Sequence, residues 1–262
     1  MELAGYVASV FIGLILGMLG GGGSILSIPI LVYLFSIDVV LASAYSLFIV
    51  GATSLVGALT KYKKHSVNIR FAVMFGIPSV ISIFATRKWI IPAIPEIVWQ
   101  TDAFLISKRL LILGLFAVLM VLASISMIRG THDHNNEDER FMPVMLIVQG
   151  LLIGFLTGLV GAGGGFLIVP ALVLLTGLGF KTAVGTSLFI IAISSLTGFL
   201  GDLMNYSMDW SFLLIITMLA TFGILVGNQL THLISSVQLR KIFGWFILVV
   251  GCGILIRELT YM

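Results

Sequence analysis

Residues 17–29 read GMLGGGGSILSIP, and residues 158–170 read GLVGAGGGFLIVP. Glycines and a proline fall at the same spacing, 141 positions apart. Extended outward without a gap, Gly13–Leu59 lies on Gly154–Leu200 with 19 identities in 47 positions. Ser46-Leu47-Phe48-Ile49 meets Ser187-Leu188-Phe189-Ile190, and Ser54, Leu55 and Gly57 meet Ser195, Leu196 and Gly198. Apolar residues coincide easily by chance. Glycine, proline and serine coinciding without an insertion do not. The chain is therefore a tandem repeat, and each half is read against the other.

Each glycine cluster separates a long apolar run from a short one. The first half carries Leu3–Gly20, Ser24–Phe35, Leu41–Leu59, Phe71–Ile91 and Leu110–Ile128. The second carries Pro143–Val160, Gly165–Thr176, Ala183–Leu200, Phe212–Leu230 and Ile242–Ile256. Most are close to the ~20 residues that cross a bilayer. Ser24–Phe35 and Gly165–Thr176 are too short, and read as half-helices, re-entrant pieces or buried helices. Composition agrees. Of 262 residues 59% are hydrophobic and 10% charged, and mean hydropathy is +1.18. A soluble domain carries about 25% charged residues, so an ordinary soluble enzyme is excluded. The single Cys252 allows no internal disulfide and no zinc or redox spacing. The net charge of +3 fits basic cytoplasmic loops and gives no reason to expect nucleic acid. The first residues lack the basic region of a signal peptide, so the first run is expected to stay in the mature chain.

Five segments per half turn the second half upside down. Loop charge agrees: Lys61, Lys63, Lys64 and Arg70 flank one connection, whereas its counterpart Gly201–Asp209 holds Asp202 and Asp209 and no base. The expected fold is an all-α polytopic membrane protein of two inverted five-segment repeats, each with a glycine-rich break before a short half-helix. Residues 1–129 form the first repeat, 130–141 a polar cytoplasmic linker and 142–262 the second repeat. The basic connection faces the cytoplasm and both termini face outside the cell membrane. Residues Ile91 to Trp99 are expected to lie along the interface.

Glycine permits broken helical geometry and close backbone approach. Such backbone survives at membrane depth only where it is buried in protein or lines a cavity. The helix beyond each break begins with unpaired N–H groups and a partial positive charge, which favours anions. Paired breaks in two inverted halves point to a transporter's central site. The candidate substrate-binding residues are Gly20, Gly21, Gly22, Gly23 and Ser24, with Gly161, Gly163, Gly164 and Gly165. Tyr45 and Ser46, and their counterparts Thr186 and Ser187, add neutral hydroxyl donors. Pro29 and Pro170, each sixth in its short segment, are candidate hinges or helix breaks. The competing reading of the glycines is plain small-residue helix packing, and of the hydroxyls, bonds to their own backbone. A nucleotide loop is not supported, since neither cluster is followed by Lys-Ser/Thr. His132 and His134 in the linker read as solvated rather than metal-binding, and no metal or cofactor is expected. Asp38, Lys181, Asp202, His232 and Arg257 sit near run ends. The sequence thus offers no mid-membrane group for ion coupling, and an anion's positive partner would come largely from backbone dipoles.

These residues resemble the sulfite/organosulfonate exporter-like permeases (TauE/SafE, TSUP). The likeness rests on Gly17–Ser24 with Pro29, on Gly158–Gly165 with Pro170, and on Gly185-Thr186-Ser187-Leu188-Phe189 with its partner Ala44-Tyr45-Ser46-Leu47-Phe48. The resemblance implies a two-halved carrier of sulfur-containing anions such as sulfite, sulfoacetate, taurine-related sulfonates or thiosulfate. The expected function is secondary export of such an anion by alternating access around the two breaks. The expected partners are that anion, the lipid bilayer and, as a candidate, a second copy of the chain. An anion channel, a carrier of small carboxylates and a structural subunit of a larger permease are the alternatives. An intramembrane enzyme is disfavoured because all four histidines lie at or outside run ends, and no catalytic residue is expected.

Overall fold

A computed structural model describes residues 2–21, 23–63, 66–101, 104–129, 143–176, 178–230 and 236–260. The first half contains α1 (Glu2–Leu19), α2 (Ser24–Pro29) with a π-helical turn at Ile30–Leu34, and α3 (Val39–Lys63). It continues with α4 (Ile69–Ala85), a second π-helical turn at Thr86–Ile90, the short α5 (Ile91–Ala93) and α6 (Lys108–Arg129). The second half contains α7 (Pro143–Val160), α8 (Gly165–Thr176), α9 (Phe180–Leu203), α10 (Trp210–Leu230) and α11 (Ser236–Thr260). Among the described residues, six stretches are long and apolar enough to cross a membrane: Val39–Lys63, Ile69–Ala93, Lys108–Arg129, Pro143–Val160, Lys181–Leu203 and Trp210–Leu230. Short polar residues start several of them. Asp38 accepts from the Val40 amide at 2.9 Å, Asn68 from Phe71 at 3.3 Å and Asp209 from Phe212 at 3.1 Å, each satisfying an orphan donor of a first turn.

Among the described residues the exception to an all-helical chain is an antiparallel hairpin of β1 (Ile97–Thr101) and β2 (Phe104–Ser107), with Thr101 opposite Phe104. The stretch expected along the interface, Ile91–Trp99, is a short helix leading into this hairpin. Alternation of Ile97, Trp99 and Thr101 with other residues over so few positions is a weak strand signal beside long apolar runs. The linker 130–141 and the four histidines lie outside the described residues.

Helices pack through small residues. α1 lies on α10: a Cβ on Gly13 would strike the Ala220 backbone, and one on Gly17 the Ile224 backbone. From the other side, Gly223 and Gly227 lie against the backbones of Val10 and Leu14. α7 lies on α4 in the equivalent way, Gly154 against Ser79 and Gly158 against Thr86. Without a hydrophobic drive inside lipid, close backbone approach supplies the van der Waals contact that holds helices together. The faces turned away carry apolar stripes at four-residue spacing, such as Val73, Ile77 and Ile81 on α4, which suit lipid.

α3 and α9 form the central pair. Gly57 faces Leu188, Gly51 faces Leu196 and Gly198 faces Leu47. Rising numbers on one helix meet falling numbers on the other, so α3 and α9 run antiparallel. α6 and α11 do the same, with Gly244 against Met127 and Ile128 and Gly251 against Met120.

Candidate functional site: the paired glycine breaks

Both long helices α1 and α7 end on a glycine in the left-handed region. Gly20 has φ +72° and Gly161 has φ +82°. Their amides bond the carbonyls four residues back, Leu16 at 2.8 Å and Thr157 at 2.7 Å. Only glycine takes this conformation without a steric penalty. The second break is more contorted, because Gly163 (φ +69°) and Gly164 (φ +67°) are also left-handed. Beyond the first break the chain doubles back. Gly23 lies against Ile12 and Leu16, and the Phe35 ring reaches Gly5 near the start of α1. The segment Ser24–Leu34 is therefore re-entrant along α1. Pro29, without an amide hydrogen, ends α2, and a π-helical turn follows. Pro170 lies inside α8, which continues as α-helix.

The two breaks meet. A Cβ on Gly21 would strike the backbone of Gly165, and one on Gly165 would strike the Cα of Gly21. The described candidate residues of both clusters are buried, while Gly22 lies outside the described residues. Hydroxyls brace the breaks. Ser24 donates to Gly21 O at 2.7 Å. Ser187 Oγ lies 2.7 Å from Gly20 O and 2.8 Å from Val184 O, so its one proton is shared between them. Ser27 and Ser46 share a short hydrogen bond.

Tyr45 and Thr186 point elsewhere. Tyr45 Oη accepts from the Asp209 amide at 2.8 Å, and Thr186 Oγ1 accepts from the Asn68 amide at 3.0 Å. Asp209 and Asn68 begin α10 and α4 and are themselves 141 positions apart. Both hydroxyls thus pin the start of a helix at equivalent places in the two halves.

Sequence reasoning missed the polar cluster around the second break. Asp202 reads as a run-end residue and Arg87, within the run Phe71–Ile91, draws no role from the sequence, yet both are 0% exposed, with Nη1 to Oδ2 at 3.2 Å. The π-helical turn at Thr86–Ile90 carries the arginine into the protein, and Nη1 also donates to Ser43 Oγ at 2.8 Å. Gly161 makes room for the guanidinium: a Cβ there would fall on Nη2. Four groups facing this break are buried without a hydrogen-bond partner: Arg87 Nε and Nη2, Ser195 Oγ and Thr157 Oγ1. Ser195 and Thr157 sit where a side chain at Gly163 or Gly164 would go. A count of charges by run cannot reveal this, because Arg87 falls in the last turn of one run and Asp202 just past the end of another, where charges commonly face water. The one available hint was that Gly201–Asp209 holds a carboxylate where its counterpart is basic.

Spanning helices around two buried, touching breaks define a polytopic membrane protein of the transporter class. The sequence model of the sulfite exporter TauE/SafE family matches residues 6–254. The chain belongs to that family. It is 28% identical to a probable membrane transporter protein of Xylella fastidiosa (strain 9a5c), over 94% of this chain and 92% of the relative. It is 28% identical to the probable membrane transporter protein YunE of Bacillus subtilis, over 95% of this chain and 97% of that one. The similarity reaches an archaeon: the probable membrane transporter protein MJ0441 of Methanocaldococcus jannaschii is 27% identical over 74% of this chain and 71% of the relative. No solved structure matches the chain significantly.

Proposed function

We propose that this protein is a secondary transporter that exports small sulfur oxyanions or organosulfonates across the cell membrane. Its central site lies between the two glycine breaks, formed by Gly20–Ser24, Gly161–Gly165, Ser46 and Ser187. Tyr45 and Thr186 support it by fixing the helices behind. The family's description as sulfite exporters supports the substrate class and the direction.

The observation that carries this reading is the contact of Gly21 with Gly165. Irregular backbone at membrane depth is confined to protein interiors and cavity linings, and paired breaks in two repeats are where transporters place their substrate. Sulfonates are weakly basic tetrahedral monoanions, suited to amide and hydroxyl donors that hold them modestly and release them. Two inverted repeats, with a linker at 130–141 between them, would let one half rock against the other. The antiparallel packing of α3 on α9 supports that reading, because these helices hold equivalent places in the two repeats.

The test is flux through proteoliposomes of the purified protein with sulfite, sulfoacetate, taurine, thiosulfate, sulfate and lactate. Saturable flux with counterflow for a sulfur anion is expected, and Gly163→Leu abolishes it. Non-saturating flux would make it a channel, and binding of cationic compounds alone would sink the anion reading.

A further inference from the structure

Four buried polar groups without a partner surround four consecutive residues of the second break. Native proteins leave few such groups, and each calls for an explanation. Three of them, Ser195 Oγ and the two arginine nitrogens, belong to residues that are 0% exposed, and Thr157 is 4% exposed. The arginine's geometry is the informative part. Nη1 is engaged by Asp202 and Ser43, whereas Nε and Nη2 are open. Those two nitrogens form the side-on edge of a guanidinium, the edge that grips two oxygens of an oxyanion at once. Nη2 is directed at Gly161, and Thr157 and Ser195 lie beside Gly164 and Gly163. An anion at this break would meet one bidentate cation and two hydroxyls.

The first break is equipped differently. At the 141-residue offset Arg87 corresponds to Asn228, Thr157 to Leu16 and Asp202 to Lys61, and only Ser195 has a like counterpart, Ser54, also buried without a partner. The buried guanidinium therefore faces the second break alone, although Arg87 itself belongs to the first repeat.

Asp202 makes the arrangement selective. Its Oδ2 neutralises Arg87, while its Oδ1 has no partner. If an anion takes over the guanidinium, a second negative charge is left buried. An unpaired buried ion carries a heavy desolvation penalty, and proton uptake removes it. Few other groups compete for that proton. α3 presents Ser43 and the break presents Gly161, neither charged. Tyr206, in the loop after α9, is held above the ordinary tyrosine range by burial and then by the charge of Asp202, so it stays protonated. Lys88 is turned onto the rings of Phe84 and Trp89. Asp38 caps α3, and Glu96 faces Lys108 at 3.9 Å.

We propose that Arg87, with Thr157 and Ser195, binds the transported oxyanion at the second break, and that Asp202 is its exchangeable counter-ion, taking up one proton as the anion displaces it. This rests on the transporter reading and adds its charged contact and its coupling ion. The loaded site holds one cation, one anion and a neutral carboxylic acid, so net charge is unchanged and one proton moves with each monoanion.

The experiment uses purified protein in proteoliposomes with sulfoacetate and sulfite as probes and an entrapped pH dye, beside thermal shift of the same protein in detergent. Wild type is expected to acidify the compartment that receives the anion. Asp202→Asn is expected to keep a sulfoacetate-induced thermal shift and to lose the response of flux to an imposed pH gradient. The double variant R87Q/D202N removes both charges together. It is expected to melt within a few degrees of wild type, to show no ligand shift, and to carry flux at least 100-fold slower. Arg87→Lys keeps the charge and the ion pair but loses the side-on edge, and its KM is expected to rise about 10-fold or more. Near-wild-type flux in R87Q/D202N, an unchanged KM in Arg87→Lys, or retained proton coupling in Asp202→Asn would overturn the proposal while leaving the transporter reading intact. Absence of any sulfur-anion flux in wild type would overturn both.

Discussion

At the scale of single residues, glycine acts at this site by what it leaves out. Gly161 sits at φ +82°, and a side chain there would collide with Arg87 Nη2 and Ser43. The left-handed conformation alone costs a non-glycine residue about 1–2 kcal/mol, and the collision displaces the guanidinium as well. Gly161→Ala is therefore expected to lower the melting temperature by several degrees and flux by at least 10-fold. Gly114, on α6, has open space where its Cβ would be, and Gly114→Ala is expected to leave both unchanged. A matching loss of flux in the two variants would contradict the argument. Ser187 offers a subtler case. Its hydroxyl is the side-chain donor reaching Gly20 O, so Ser187→Ala leaves a buried carbonyl with weaker satisfaction at about 1–2 kcal/mol. Guest alanine at Thr197, whose hydroxyl bonds the Ile193 carbonyl at 2.7 Å on an exposed face of the same helix, is the comparison, and a thermal melt should separate the two clearly.

At the scale of elements, the two short segments differ although their sequences align. Pro29 ends α2 and hands over to a π-helical turn, which brings Tyr33 Oη to Glu258 at 3.1 Å; Arg109 Nη2 reaches the same carboxylate at 3.2 Å. The Arg257 guanidinium lies 4.1 Å from the centre of the Tyr33 ring. This cluster ties the end of the re-entrant segment to α6 and α11. Pro29→Ala restores an amide hydrogen and lets α2 run on as α-helix, rotating Tyr33 away. The expected result is a lower melting temperature, reproduced by Glu258→Gln and not added to it in the double variant, since both break one tie. Independent, additive effects would disprove that coupling. These elements also mark what a sequence can yield. α7 and α8 begin and end where the apolar runs do, because proline, glycine and charge punctuate those runs sharply. The π-helical turns do not announce themselves, since a π-turn differs from an α-turn by one residue of register with no change of hydropathy. The inward path of Arg87 depends on such a turn, and so the charged part of the proposed site was hidden while its glycines were plain.

At the scale of the whole molecule, the governing relation is between equivalent helices. α1 packs on α10 while α7 packs on α4, so each half lends its first helix to the other. α3 and α9 pair with each other, antiparallel. If equivalent helices run antiparallel and both cross the bilayer, their C-terminal ends emerge on opposite sides. Lys63 ends α3 and Asn205 follows the end of α9, and both are exposed. On the proposed orientation the basic loop after α3 faces the cytoplasm, following the positive-inside rule, and Asn205 faces outside. The natural thiol Cys252 is exposed and must first become serine. In that background, a cysteine at Asn205 should react in intact cells with a membrane-impermeant maleimide, and one at Lys63 only after the membrane is opened. Labelling of both from one side would rule out inverted halves and remove the rocking motion from the proposed transport cycle. Labelling in the reverse sense would keep the inversion and move both termini to the cytoplasm, turning the charged second break, with Arg87 and Asp202, toward the cell interior.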